Sequence, residues 1–186
     1  ALMVLAGWRT LPADETSGFR SGRLSRTSDG AETGDPLFTL LKPAETGIAF
    51  ANKVYEDDDN HPFGYTYFYN GGGVAIGDIN NDGLPDLFFT GNMVPNKLYL
   101  NKGGFAFEDI TDRAAVGEAG GWSNGVTMVD INLDGYLDIY VCRSYYLKKP
   151  TLRENLLFIN NGDLTFREEA AGYGDEGGGA LPPETV

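Results

Sequence analysis

One cysteine and one histidine in 186 residues leave little soft-ligand chemistry to this chain. Cys142 has no partner for an internal disulfide, and His61 has no second His or Cys with which to build a zinc site. Cys142 lies in a strand-like apolar run and reads as a small buried hydrophobe; His61 reads as a loop residue. Positive charge is also scarce. Fourteen Lys and Arg stand against 27 Asp and Glu, a formal net charge of -13. That balance argues against nucleic acid or anionic lipid as a partner. The apolar run at residues 1–8 is far shorter than the roughly 20 residues of a membrane span. It lacks an initiator Met and a basic flank, so it reads as at most the tail of a signal peptide. Leu5-Ala6-Gly7 is similar to the start of a bacterial lipobox, but Trp8 stands where the lipidated Cys is required. Residues 9–35 are Ser, Thr, Gly, Arg and Asp with few apolar side chains, so 1–35 reads as a signal remnant and disordered linker.

What the chain does have is a nine-residue pattern, D-x-N-x-D-G-x-x-D, written twice: Asp78-Ile79-Asn80-Asn81-Asp82-Gly83-Leu84-Pro85-Asp86 and Asp130-Ile131-Asn132-Leu133-Asp134-Gly135-Tyr136-Leu137-Asp138. Oxygen-bearing side chains at positions 1, 3, 5 and 9, with a main-chain carbonyl at position 7, suit a hard cation. Calcium takes six to eight oxygens, and Gly at position 6 permits the sharp turn around it. An EF-hand is excluded, because it closes with a bidentate Glu at position 12 and lies between helices. Position 12 here is Phe89 or Val141, and the flanking runs are β-branched and aromatic, hence strands. Two bound Ca²⁺ would bring the formal charge from -13 to about -9. The ordinary alternative is that these Asp and Asn residues only make turns, but a turn needs no Asp at position 9 in both copies.

The surroundings of the two loops repeat as well. The first unit, residues 71–121, reads as a strand around Val74 and Ile76, the loop, and strands at 86–90 and 97–100. A turn at Lys102-Gly103-Gly104 then leads into a last strand. The second unit, 122–173, has the same order, with strands around Val126 and Met128, at 138–141 and at 156–159. The pair Asn161-Gly162 predicts a type I′ hairpin turn. Relative to the first unit, the second carries a seven-residue insertion between Cys142 and Asn155. Residues 36–70 read as part of an earlier unit, because Phe38-Thr39-Leu40-Leu41 and 46–50 are similar to the closing parts of the later two. Residues 65–70 read as a strand or an edge cover. The charged run 56–59 reads as a solvated loop, and 174–186 as a flexible tail. Four short antiparallel strands in about 50 residues is the size of a propeller blade. Apolar residues on both faces, as in Leu87-Phe88-Phe89, suit a sheet packed between neighbours. The predicted class is all-β: about two four-stranded antiparallel β-propeller blades plus part of a third, a fragment of a larger propeller.

The runs Gly73-Val74-Ala75-Ile76-Gly77-Asp78 and Gly125-Val126-Thr127-Met128-Val129-Asp130, with their loops, resemble the FG-GAP or VCBS-type repeats of calcium-binding β-propellers. The fuller run from Tyr69 to Asp78, with Asn96-Lys97-Leu98-Tyr99-Leu100-Asn101, resembles bacterial, often Bacteroidetes, relatives of the cartilage acidic protein (ASPIC/UnbV) family. The resemblance covers roughly residues 37–173. It implies a secreted or cell-surface propeller with Ca²⁺ at two sites. The implied ligands are Asp78, Asn80, Asp82 and Asp86 with the Leu84 carbonyl, and Asp130, Asn132, Asp134 and Asp138 with the Tyr136 carbonyl.

Two functions compete on these grounds. The first is a non-enzymatic module for surface binding or adhesion to a protein or glycan. Its candidate contact is the inserted segment, where Tyr145, Tyr146, Lys148 and Lys149 stand out in an acidic chain. The second is part of a propeller-fold polysaccharide-active enzyme whose active site lies mostly in other blades. The acids outside the loops show no spacing that suggests a catalytic pair, so the binding module is the expectation.

Overall fold

The computed structural model describes residues 40–118, 120–144 and 150–174. The chain divides into two units, residues 1–42 and 43–186. Of the first only residues 40–42 are described; both sheets belong to the second. The expectations for residues 1–35, for Phe38 and for the tail beyond Gly174 lie outside the described residues.

Two four-stranded antiparallel sheets succeed one another along the chain, each in simple meander order. The first holds β1 (Val74–Gly77), β2 (Asp86–Phe89), β3 (Lys97–Asn101) and β4 (Phe107–Asp109). The second holds β5 (Trp122–Val129), β6 (Asp138–Ser144), β7 (Leu156–Asn160) and β8 (Phe166–Glu168). The registers correspond: Gly77 pairs with Asp86 and Val129 with Asp138, so each nine-residue loop closes a β1–β2 or β5–β6 hairpin. These sheets are propeller blades. The insertion lengthens the β5–β6 hairpin, adding the pairs Trp122 with Ser144 and Ser123 with Arg143 beyond an irregularity between Ser123 and Val126. It then forms a 3₁₀ turn at Pro150–Arg153.

The main core lies between the blades. Ala75, Phe88 and Leu98 of the first meet Ile139, Val141 and Phe158 of the second, all buried. Phe88 and Phe158 are almost wholly shielded, and each such side chain contributes about 1.5–3 kcal/mol. The opposite face of the first blade is covered by the preceding segment, where Phe50 stacks on Phe89 at 5.2 Å between ring centroids. Burial on both faces explains the unbroken apolar runs of β2 and β7. The edge strand β1 differs: its Val74 and Ile76 are exposed.

Three sequence expectations need correction. Residues 40–70 contain a helical turn, α1 (Pro43–Thr46), and no strand among those described. Pro43 favours a helix start, and Gly47, at φ 78°, breaks the chain out of it. The likeness to the later units survives in this turn. α2 (Thr111–Ala114) is followed by Ala115 at φ 58°, and the 3₁₀ turn Ala170–Tyr173 by Gly174 at φ 78°. The Asn161-Gly162 hairpin is not a two-residue type I′ turn. Positive φ falls on Gly162 and Leu164 instead, and Asn161 N–H donates to the Thr165 carbonyl at 3.0 Å. Asp163 accepts hydrogen bonds from both the Thr165 backbone and its hydroxyl, which stabilises the longer turn. Cys142 is exposed rather than buried. A side chain at Gly125 would stand 3.7 Å from the Cys142 Cβ, but glycine has none to cover it.

Residues 65–70 form turns rather than a strand and serve as a cover. Phe68 is fully buried against Trp122, with ring centroids 5.1 Å apart. His61 lies in a loop, its Nδ1 accepting the Gly64 N–H at 3.2 Å. The acidic run 56–59 is exposed, and Asp57 accepts the backbone N–H groups of Asp59 and Asn60.

Candidate metal centre

The two D-x-N-x-D-G-x-x-D loops have the same internal wiring. In the first, the Asp78 carboxylate accepts the N–H groups of Asp82 (3.2 Å) and Gly83 (2.7 Å). Asp82 accepts the Leu84 N–H at 2.8 Å and the Asn80 amide at 2.9 Å. In the second, Asp130 accepts from Asp134 (3.1 Å) and Gly135 (2.9 Å). Asp134 accepts from Tyr136 (2.9 Å) and the Asn132 amide (2.8 Å). Position 6 needs positive φ in both, 85° at Gly83 and 91° at Gly135, which only Gly adopts freely. Position 4 is also left-handed, at 60° for Asn81 and 61° for Leu133. Asn tolerates this, but Leu133 holds it at a cost of about 1–2 kcal/mol.

The ninth residue is different in kind. Asp86 and Asp138 are completely buried, and each ties three pieces of chain together. Asp86 accepts the Ile79 N–H (2.9 Å) and the Asn101 N–H (2.8 Å), joining the loop start, β2 and β3. Asp138 repeats this with Ile131 (3.0 Å) and Asn160 (2.8 Å). Burial raises the pKa of Asp86; the two backbone N–H bonds pull it down, and the neighbouring Asp82 and Asp78 carboxylates push it up. The net shift is upward. Carboxylates crowded this way favour a nearby cation, which removes their mutual repulsion.

Among the described residues no three His, Cys, Asp or Glu side chains are gathered closely enough to hold a metal by themselves. A cation held here needs amide and carbonyl oxygens as well: Asn80 and the Leu84 carbonyl in the first loop, Asn132 and the Tyr136 carbonyl in the second. Such an all-oxygen mixture fits calcium. The hydrogen bonds each carboxylate already accepts leave lone pairs over.

Sequence reasoning passed over the asparagines that join the loops to their surroundings. Asn101 donates to the Pro85 carbonyl and accepts the Gly103 N–H, both at 2.8 Å. Its counterpart Asn160 donates to the Leu137 carbonyl (3.1 Å) and accepts the Gly162 N–H (2.9 Å). Asn160 also reaches the other blade, donating to the Ile79 carbonyl at 2.9 Å. Asn81 links the two loops directly, its amide donating to the Gly135 carbonyl at 3.0 Å. The signal for Asn101 and Asn160 was present: each ends an apolar strand run at the same repeat position. Tyr145, Tyr146, Lys148 and Lys149 lie outside the described residues.

With this geometry in place, the comparisons with known proteins are specific. Residues 78–141 match the FG-GAP-like repeat family. The matched stretch starts at position 1 of the first loop and ends just after the second. Cartilage acidic protein 1 of Xenopus tropicalis is 36% identical over 103 residues, which is 55% of this chain and 15% of that protein. Cartilage acidic protein 1 of Homo sapiens is 33% identical over 76 residues, 41% of this chain and 12% of that protein. The chain thus aligns with less than a sixth of the length of these relatives. Among the described residues no helix is long and apolar enough to cross a membrane.

Proposed function

We propose that this chain is a calcium-binding FG-GAP-like repeat module of an extracytoplasmic protein, and that it serves binding or adhesion rather than catalysis. The observation that carries the reading is the duplication of the loop. Two segments 52 residues apart in sequence share the same donor types, the same positive-φ positions and the same hydrogen bonds. Asp78, Asn80, Asp82 and Asp86 with the Leu84 carbonyl would hold one ion. Asp130, Asn132, Asp134 and Asp138 with the Tyr136 carbonyl would hold the other. The ions' role is structural, offsetting carboxylate repulsion in the loops. With a Kd of about 0.1–1 mM, the range of extracellular calcium modules, the loops would fill at the millimolar calcium found outside cells. That supports a secreted or cell-surface location.

At a Kd of about 0.1 mM and calcium of about 1 mM, each site adds roughly 1.4 kcal/mol. Two sites shift the unfolding midpoint by about 6–11 °C for a domain of this size. The test is thermal unfolding in millimolar calcium against excess chelator, repeated with Asp82→Ala plus Asp134→Ala. The proposal requires a calcium-dependent midpoint that the double variant loses. An identical midpoint with and without calcium in the folded wild-type chain would overturn it.

A further inference from the structure

A groove of about 410 Å³ opens at the end of the blades away from the calcium loops' hairpin ends, lined by Tyr65, Tyr67, Asn70, Gly71, Gly72 and Asn124. Its size is within the range of small-molecule pockets, roughly 300–1,000 Å³. Its walls are held in place. Tyr65 and Tyr67 meet edge to face, at 5.9 Å and 76°, and so form a corner. Tyr65 packs edge-on against the buried Trp122 at 5.8 Å, and its hydroxyl shares a hydrogen bond of 2.8 Å with the Ser144 hydroxyl. The Asn124 side chain donates to the same Ser144 hydroxyl. Its amide oxygen accepts from Asn92, a buried hub that also donates to the Gly71 and Ser123 carbonyls. A side chain at Gly71 would meet nothing within 4 Å, so the floor is open there.

The chemistry of the lining narrows the occupant. In a chain of net charge -13, the groove lining contains no Asp, Glu, Lys, Arg or His among the described residues. It offers aromatic faces, amides and backbone. Tyr67 is 60% exposed, so its ring is available to an incoming ligand. A charged ligand would be desolvated without a counter-charge, and a purely apolar one would leave the amides unpaired. A sugar ring satisfies both demands: its C–H face packs on an aromatic ring, and its hydroxyls pair with amides. We propose that this groove binds a neutral saccharide, with Tyr67 as the stacking platform and Asn70 as a hydrogen-bonding partner. The inference gives a ligand class to the binding-module reading, but it does not depend on the metal.

The experiment is isothermal titration of the full chain with cellotetraose, laminaritetraose, mannotetraose and chitotetraose, with Tyr67→Ala, Asn70→Ala and Tyr67→Phe alongside. At least one tetrasaccharide binds saturably. Tyr67→Ala and Asn70→Ala each weaken it about tenfold or more, and Tyr67→Phe retains most of the affinity. Because Asn70 is exposed and Tyr67 gives up only its edge-to-face contact with Tyr65, each variant stays folded and its thermal midpoint moves by no more than a few degrees. Binding of none of the four sugars overturns the proposal, as does binding that survives both alanine variants. Tighter binding of an oligogalacturonate than of any neutral sugar overturns it too. The calcium response of the midpoint, read on the same samples, separates the two ideas. Lost sugar binding with an intact calcium response removes only the groove, and the reverse removes only the metal.

Discussion

Changing Asp86 to Asn replaces one carboxylate oxygen with an NH₂ group and separates two roles of the loop. Both Asp86 oxygens accept backbone hydrogen bonds, from Ile79 at 2.9 Å and Asn101 at 2.8 Å, in a completely buried position. An amide has one acceptor oxygen. Whichever way it turns, its NH₂ faces one of those N–H groups, and a buried donor is left without a partner. Such a loss costs about 1–3 kcal/mol. Removing a charge beside Asp78 and Asp82 returns a part of this, since burial and those carboxylates raise the Asp86 pKa. At about 2–4 °C per kcal/mol, the midpoint in chelator falls by several degrees. Asp138→Asn, with bonds of 3.0 and 2.8 Å from Ile131 and Asn160, behaves alike. Asp82→Asn and Asp134→Asn are the controls. Both positions are exposed, water replaces what the amide cannot accept, and the cost in chelator stays within about 0.5 kcal/mol.

The assay is urea or thermal unfolding of the four single variants in excess chelator, followed by calcium titration of each. The expected pattern is that position 9 variants are destabilised without calcium, whereas position 5 variants keep the wild-type midpoint and lose the calcium increment. Wild-type stability of Asp86→Asn and Asp138→Asn in chelator would show that the buried carboxylates are not structural ties. Equal losses at positions 5 and 9 would refute the division of labour altogether.

Other perturbations test the joints between blades. Asn160→Ala removes three hydrogen bonds from a buried side chain, one of them to the other blade. It lowers stability by about 2–3 kcal/mol in urea unfolding, more than Asn101→Ala, whose half-buried amide bonds only within its own blade. Gly73→Ala places a methyl 2.5 Å from the Asn124 carbonyl oxygen, so the blades must part, and the loss is about 1–3 kcal/mol. Gly77→Ala meets flexible side chains rather than backbone: Leu137 Cδ1 at 2.7 Å and Met128 Sδ at 2.8 Å, with Met128 Cβ at 3.4 Å. Those side chains swing away, and the thermal midpoint moves by the equivalent of about 1 kcal/mol or less. Trp122→Ala empties the site beneath Phe68 and Tyr65 and costs about 3–5 kcal/mol, read by denaturant midpoint.

Strand class and order were legible because propeller blades bury both faces of their middle strands. That burial demands unbroken apolar runs such as Leu87-Phe88-Phe89, and the internal repeat supports each assignment with a second copy. Loop geometry was legible for a related reason: Gly83 and Gly135 mark the positive φ of position 6 directly. The failures share a different origin. The Asn161-Gly162 turn was settled by Asp163 and Thr165 side chains, which override the dipeptide's own preference. Cys142 is exposed because the position across the sheet is a glycine, and no local pattern reports a neighbour's missing side chain. The cross-blade bonds of Asn81 and Asn160 connect residues 54 and 81 positions apart, beyond any window in which periodicity acts. The groove at Tyr67 was hidden likewise, since its lining comes from residues 65–72 and from Asn124.

These long-range bonds bear on what a cation in the loops would stabilise. A loop that only closed a hairpin would transmit the ion's binding energy to two strands. Here Asn81 of the first loop donates to the Gly135 carbonyl of the second, and Asn160 binds the Ile79 carbonyl inside the first. Gly135 is position 6 of its loop, next to the position 7 carbonyl donor, so Asn81 steadies the backbone on which a second ion would rely. On the calcium reading the two sites are therefore coupled, and occupancy of either one firms the blade junction. Asn81→Gly is the discriminating variant, because Gly keeps the φ of 60° while deleting the amide. In calcium titrations followed by calorimetry, the wild-type chain shows the two sites binding with positive cooperativity. The Asn81→Gly chain shows independent sites, with each single site's affinity little changed. Two independent sites in the wild-type chain would show that Asn81 joins the blades without coupling the ions.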